Sequence, residues 1–212
     1  MEVQSFVFSP LYENTYVLWD HTKKAIIVDP GCYEQYEFDE IINFIDDKGL
    51  QIKAIVNTHC HIDHVLGNQK LKKHFKVPLL IPENEVDNLR AVEAYAPNWG
   101  ITHYEPATPD HLIENQGTIS IGETDLEVIY APGHSPGHQA FYLKEENKLI
   151  GGDVLFRESI GRTDLPGGDH QTLIDNIKTK LFTLPEETVV YPGHGPTTTI
   201  GHEKKNNPFV KA

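Results

Sequence analysis

Three histidines and one aspartate fall within six positions of the chain, at His59, His61, Asp63 and His64. Imidazole nitrogen and carboxylate oxygen are ligands that zinc, iron and manganese accept in proteins, and such a set needs no thiolate. His59 and His61 are two residues apart, so in an extended segment both side chains point to one side while Cys60 points away. The spacing therefore predicts a metal site, although any one of these histidines alone would suggest an ordinary surface or core residue.

Three more ligand-type side chains each follow a predicted strand, in turns that contain glycine or proline: His134, Asp153 and His194. With the first cluster, four strand ends offer ligands that can converge on one edge of a sheet sandwich. The spacing assigns His59, His61 and His134 to one ion, Asp63, His64 and His194 to a second ion, and Asp153 to a bridging position. Two close divalent ions turn a bridging water into hydroxide near neutral pH and polarise the carbonyl that it attacks. His138 shares the turn of His134 and is expected beside the site rather than as a ligand.

The elements that must position these residues can be read from hydrophobic patterning and turn signals. The predicted strands are 2–8, 14–19, 25–29, 52–57, 118–121, 125–130, 139–143, 147–151 and 188–191, and the predicted helices are 36–48, 66–76, 82–94 and 170–182. The first hairpin is expected to turn at residues 9–14, and the region from 95 to 117 to be loop. Strands covered by helices on both sides predict a mixed α/β (α+β) fold, a four-layer sandwich with two sheets inside. We expect one domain over residues 1–212.

Composition limits the classes of partner. The formal net charge of −13 argues against a nucleic-acid partner, which requires a basic surface. The longest apolar runs are about five residues, too short to span a membrane. The first 14 residues do not resemble a signal peptide and the chain has only two cysteines, so we expect a cytoplasmic protein without disulfides.

The segment Thr58–His64 matches the H-x-H-x-D-H signature of the metallo-β-lactamase superfamily, and the whole chain resembles this family. Four further segments fall in the family's order: Ile27–Gly31, Pro132–His134, Gly152–Asp153 and Pro192–Pro196. The resemblance implies an αββα sandwich. It also implies the same division of the seven ligands between two divalent ions that the spacing predicts. Zinc is the expected metal, and iron or manganese would suit the same ligands.

Within the superfamily the chain looks most like the short bacterial members of the glyoxalase II group, on the stretches Gly161–Asp169 and Asn207–Phe209. This resemblance implies hydrolysis of a 2-hydroxyacyl thioester such as S-lactoylglutathione by a metal-bound hydroxide, which Asp63 orients. Because thiolate is a fair leaving group, a strong general acid is not required. The implied partner is a small-molecule thioester, and the oligomeric state is left open.

One departure from the classical glyoxalase II pattern concerns the thiol half of the substrate. The 18 residues from Gly195 to Ala212 are too few for the C-terminal helical domain that supplies much of the glutathione surface in that group. We therefore expect glutathione to be bound weakly or another thiol to replace it. Arg162 and Asp164 are the candidate substrate-binding residues, although a structural role would suit them equally.

The main alternative is a persulfide dioxygenase on the same fold. Such enzymes also resemble this chain in the Thr-His-Cys-His and Gly-Arg-Thr-Asp stretches. They imply a single iron, here held by His59, His134 and Asp153, with positions left open for oxygen. The segment Gly193-His194-Gly195-Pro196 favours the hydrolase, because the dioxygenases typically have an acidic and an aromatic residue after the corresponding histidine.

Overall fold

The computed structural model describes residues 1–8 and 11–211, which form two compact units. The first unit consists of Met1–Ile113 and Ser120–Thr124, and the second of Glu114–Ile119 and Asp125–Ala212. The predicted turn at residues 9–14 includes Ser9 and Pro10, which lie outside the described residues. No helix within the described ranges is long and apolar enough to cross a bilayer.

A six-stranded sheet lies at the centre of the first unit, with its strands side by side in chain order. The strands are β1 (Glu2–Phe8), β2 (Glu13–Trp19), β3 (Lys24–Val28), β4 (Gln51–Val56), β5 (Leu79–Pro82) and β6 (His111–Ile113). β1, β2 and β3 pair antiparallel, and the pairs from β3 to β6 are parallel. The run Ala25–Val28 in β3 is wholly buried, as expected of a strand whose two faces are both covered.

Three helices accompany this sheet: α1 (Gln35–Lys48), α2 (Asn68–Phe75) and α3 (Val86–Tyr95). Up to α2, every predicted strand and helix is confirmed to within two residues. The helix predicted from Pro82 begins instead at Val86, because Leu79–Pro82 forms β5 and a 3-10 turn follows it. β5 and β6 have no counterpart among the predicted elements, since runs of four and three residues are too short to show a period.

A second six-stranded sheet has the order β14-β13-β10-β9-β8-β7 and belongs mainly to the second unit. Its strands are β7 (Thr118–Ile121), β8 (Thr124–Tyr130), β9 (Gln139–Leu143), β10 (Lys148–Gly152), β13 (Val189–Pro192) and β14 (Thr198–Thr199); β11 (Leu155–Phe156) and β12 (Ser159–Ile160) form a separate hairpin. α4 (His170–Asn176) continues into a π-helical turn at Ile177–Leu181, and α5 (Ile200–Asn206) follows β14. The predicted meander, helix and last strand are confirmed, whereas α5 is an additional element.

The loop that carries His134 is packed closely onto α4. The Asp169 N–H donates to the Gly133 carbonyl at 2.8 Å, and the Asn176 side-chain amide donates to the Pro132 carbonyl at 2.9 Å. Gly133 has φ 130°, and a Cβ at this position would overlap the backbone of Leu173. Only glycine therefore allows the loop and the helix to approach this closely.

Replacing Gly133 by alanine is expected to destabilise the protein by about 1–3 kcal/mol more than replacing Gly117 does. Gly117 has a matching φ of 133° but no heavy atom within 4 Å of an added Cβ, so Gly117→Ala reports the backbone strain alone. Urea unfolding of both variants measures the difference. Equal losses would show that the loop can move away from α4 at no cost.

Candidate metal centre

The first unit brings together the four predicted ligands that follow β4. His59 and His64 are fully buried, while His61 and Asp63 are partly exposed. The His59 ring centroid lies 4.7 Å from that of His61 and 4.1 Å from that of His64. A 3-10 turn at Ile62–His64 produces this crowding, because it folds Asp63 and His64 back beside the extended segment.

Cys60 lies between the two histidines and faces the hydrophobic core, as predicted. Its N–H donates to Glu85 Oε2 at 2.9 Å, which fixes the backbone between His59 and His61. Burial, followed by the negative charges of Glu85 and Asp29, raises the pKa of the Cys60 thiol well above its usual value. The thiol is therefore a poor thiolate, and its place in the core turns it away from the neighbouring histidines.

Hydrogen bonds fix the tautomer of His59. Thr58 donates its hydroxyl to Asp29 Oδ2 at 2.6 Å and its N–H to Asp29 Oδ1 at 2.7 Å. Because the hydroxyl proton is committed to Asp29, the Thr58 oxygen accepts from His59 Nδ1 at 3.1 Å. The proton on Nδ1 leaves the Nε2 lone pair of His59 available to a metal ion.

His64 shows the same arrangement directly against carboxylates. Its Nδ1 lies 3.2 Å from Asp29 Oδ2 and 3.9 Å from Glu13 Oε1, and its Nε2 lies 3.8 Å from Asp63 Oδ2. A proton on Nδ1 is therefore favoured by two acids, and Nε2 is left on the side of Asp63. Asp63 and His64 can thus present an oxygen and a nitrogen to one ion, as the sequence predicts.

Sequence reasoning missed the roles of Asp29 and Glu13. The donor atoms of Asp29, His59 and His64 lie within 4.8 Å of one another, so Asp29 could itself contribute to a metal site. An acid directly after the buried strand β3 was the available signal for Asp29. Glu13 opens β2 beside a turn and carried no signal, yet it is fully buried, and that burial raises the pKa of its carboxyl well above the usual value.

The second unit brings together the other three predicted ligands. Asp153 Oδ2 lies 3.4 Å from His134 Nε2 and 3.6 Å from His194 Nε2. The topology explains this, because β8 and β10 are both antiparallel to β9, and β13 is parallel to β10. The three strands thus end at one edge of the sheet, and a residue one to four positions after each end joins the cluster. One carboxylate oxygen between two imidazoles is the placement that a bridging ligand requires.

Neighbouring groups orient this second set. His134 Nδ1 donates to the Arg162 carbonyl at 2.7 Å, so its Nε2 is free of the proton and faces Asp153. The buried His138 accepts the Asp153 N–H at Nε2, over 2.9 Å, and so supports Asp153 from behind, beside the site as predicted. A Cβ at Gly161 would overlap the Asp153 carbonyl, so glycine is required where the β12 end passes the site.

Arg162 and Asp164, the predicted substrate-binding residues, form an exposed bidentate pair. Arg162 Nε donates to Asp164 Oδ1 at 2.7 Å and Nη2 donates to Oδ2 at 2.8 Å. The hydrogen bonds from Arg162 lower the pKa of Asp164 to about 2. Both side chains remain more than half exposed and are therefore accessible to a solute.

The donor chemistry of each unit fits a divalent ion. Buried imidazoles with a committed Nδ1 and carboxylates at 3.4–3.8 Å supply nitrogen and oxygen ligands of the kind that zinc, iron and manganese share. Histidines that bind a metal usually donate their other N–H to a carboxylate or a backbone carbonyl, as His134 does here.

Comparisons with known proteins agree with this chemistry. Residues 9–194 match the metallo-beta-lactamase superfamily. The hydroxyacylglutathione hydrolase GloC of Haemophilus influenzae is 36% identical over 215 residues, which cover 100% of this chain and 99% of that protein. The crystal structure of the B3 metallo-beta-lactamase BLEG-1 is 38% identical, with a TM-score of 0.89 and 100% of both chains covered. The di-iron-bound form of TTHA1623 is 36% identical, with a TM-score of 0.88, and covers 98% of this chain and 100% of that one.

These matches run the length of the chain and confirm the predicted fold class, a mixed α/β structure with two sheets and helices. A metal-binding family is also consistent with the histidine and aspartate clusters of this chain, whose side chains could hold a metal ion. This chain belongs to the metallo-beta-lactamase superfamily and is one of its metallo-hydrolases.

Proposed function

We propose that this protein hydrolyses 2-hydroxyacyl thioesters of the S-lactoylglutathione type, releasing a 2-hydroxy acid and a free thiol. The observation that carries the proposal is the end-to-end match to a hydroxyacylglutathione hydrolase of the same length. We place the reaction in the cytoplasm, in keeping with two buried cysteines that are both free.

The proposed metal centre holds two divalent ions. The ligands are His59, His61 and His134 for one ion, Asp63, His64 and His194 for the other, and Asp153 between them. Zinc is the metal that we propose, and the di-iron form of a relative makes iron the first alternative. When bound, such ions supply Lewis acidity, which activates water and polarises a thioester carbonyl.

The residues of the chain supply orientation and proton handling. Asp63 is partly exposed beside His64, and we assign its carboxylate to accept a proton from the attacking water. Thr58, Asp29 and the Arg162 carbonyl hold the protons of His59, His64 and His134 on Nδ1. The thiol leaves as thiolate, so none of these residues has to act as a strong acid.

The thiol half of the substrate is proposed to meet Arg162 and Asp164. Glutathione carries two carboxylates and one ammonium group, which complement an arginine and an aspartate. Because the two side chains already bind each other in bidentate geometry, they are held in place for a substrate without further ordering.

Purified protein with its metal counted in the same sample is expected to hydrolyse S-lactoylglutathione with a kcat/KM of about 10⁴ M⁻¹s⁻¹ or more. The release of free thiol measures the reaction, and a chromogenic β-lactam and an oxygen electrode with glutathione persulfide serve as parallel assays. Turnover only of the β-lactam, or oxygen uptake without thiol release, would refute the thioesterase proposal.

Replacing His61 by alanine is expected to lower kcat/KM by more than about 100-fold and to reduce the bound metal, because a ligand is lost. The adjacent variant Cys60→Ala is the matched control, since this thiol faces the core. It should keep the metal content and about the same activity while losing some stability. The measurements are metal per chain and thiol release; equal losses in both variants would mean that the segment, rather than the imidazole, is what matters.

Replacing Arg162 by glutamine is expected to raise KM for S-lactoylglutathione about fivefold and to leave kcat and metal content unchanged. The side chain can be changed alone, because His134 is held by the backbone carbonyl of Arg162. Arg90→Gln, which removes a cation that pairs with Asp87 on α3, is the control. A loss of metal in Arg162→Gln would assign the side chain a structural role instead.

A further inference from the structure

Glu13 is a buried acid that the proposed reaction does not use. It is fully buried at the start of β2. Thr15 donates its hydroxyl to Glu13 Oε2 at 2.8 Å, and Glu13 Oε1 faces His64 Nδ1 at 3.9 Å. A carboxyl in such a place is costly, because burial removes the water that would stabilise its charge.

The surroundings of Glu13 are acidic. Its charged neighbours are His64, Asp29 and Asp63, and no lysine or arginine forms an ion pair with it among the residues that the structure describes. A buried acid normally has a cation or several donors to offset its cost. Here the one neighbour able to carry positive charge is the imidazole of His64, which is a predicted ligand.

The chain makes room for this carboxyl at Gly31. A Cβ at Gly31 would overlap Glu13 Oε2 and come within 2.5 Å of the Asp63 carbonyl oxygen. The Gly31 N–H donates to Thr15 Oγ1 at 2.9 Å, so the hydroxyl that holds Glu13 is itself held. The segment Ile27–Gly31, which carries no predicted ligand, is thus shaped around Glu13 at one end and supplies Asp29 in its middle.

Glu13 and Asp29, the two acids beside His64 Nδ1, differ in their other contacts. Asp29 Oδ2 accepts the Thr58 hydroxyl at 2.6 Å and through Thr58 also orients His59. Removing Asp29 would therefore disturb a ligand of each proposed ion. The proposed ligand that Glu13 faces is His64, so we expect its influence to fall first on the Asp63–His64 pair.

We propose that Glu13 is a positioning residue that acts through His64 and sets the affinity of the second metal position, the one formed by Asp63, His64 and His194. The Glu13 carboxyl, together with the nearer Asp29, lies on the Nδ1 side of the His64 ring and so helps to keep the Nε2 edge turned toward Asp63. This inference rests on the two-ion centre proposed above but not on the identity of the substrate.

The test is a metal titration of the metal-free protein. Zinc is added in competition with a chromophoric chelator, which gives the number of ions and two dissociation constants. In Glu13→Gln, the affinity of the weaker-held second ion is expected to fall about 10- to 100-fold, while the first ion is bound within about threefold of wild type. Thermal unfolding of the metal-free variants shows that each is folded before titration.

Glu203→Gln is the matched control. Glu203 is equally buried and holds Thr198, Asn207 and the Glu158 N–H, none of which is a predicted ligand. It should lose stability and bind both ions like wild type. If Glu13→Gln does not fold, Glu13→Asp keeps a carboxyl but withdraws it from His64, and the same selective loss is expected.

The inference would be overturned by unchanged second-ion affinity in a folded Glu13 variant, by equal loss of both ions, or by the same loss in Glu203→Gln. A wild-type protein that binds a single ion would overturn it as well. A wild type that binds two ions and hydrolyses no thioester would refute the proposed function while the zinc titration still decides the role of Glu13.

Discussion

Both oxygens of the Asp29 carboxylate accept hydrogen bonds, Oδ1 from the Thr58 N–H and Oδ2 from the Thr58 hydroxyl, and Oδ2 also lies 3.2 Å from His64 Nδ1. Hydrogen bonds of this charged kind contribute about 1.5–3 kcal/mol each, and the group is almost fully buried, so breaking them would leave a costly unpaired charge. Asp29 reaches this position with a left-handed φ of 48°, at the point where its N–H still pairs with Val56 of β4. Because Thr58 in turn orients His59, one acid fixes the proton positions of two ligands that we assign to different ions.

In the second unit, sheet topology rather than a single acid brings the predicted ligands together. Three strands that run in the same direction end at one edge, and each is followed by a ligand after a short turn. A sheet edge spaces neighbouring strands by about 4.8 Å, so next-but-one strands still place long side chains within reach of a shared oxygen. His138 and the Arg162 carbonyl then select the orientation of Asp153 and His134. Strand order therefore gathers the ligands, and hydrogen bonds orient them.

Much of this could be predicted because ligands and strands both leave local patterns in the sequence. His59 to His64, His134, Asp153 and His194 follow runs of β-branched residues, and a turn after such a run is visible without a structure. Glu13 could not be predicted, since its burial depends on Gly31 and His64, which lie 18 and 51 positions further along the chain. β5 and β6 were not predicted for a related reason. Strands of four and three residues are defined by their pairing with neighbouring strands and leave no pattern of their own in the sequence. The sequence thus shows which ligand-type side chains lie in turns after strands, whereas the groups that orient them are brought there by tertiary contacts.

Arg162 would connect the orientation of a proposed metal ligand with the substrate binding that we propose. Its carbonyl accepts the Nδ1 proton of His134, so the backbone at this position cannot move without turning a ligand. The side chain of the same residue is more than half exposed and pairs with Asp164. A substrate bound by the guanidinium would thus be bound by the same residue whose carbonyl orients His134. A different side chain at position 162 would change the contacts proposed for the substrate, whereas a shift of the backbone there would also move the carbonyl that orients His134. We therefore expect similar chains to be able to differ in specificity at the exposed side chains of residues 162 and 164 without disturbing the contact that orients His134.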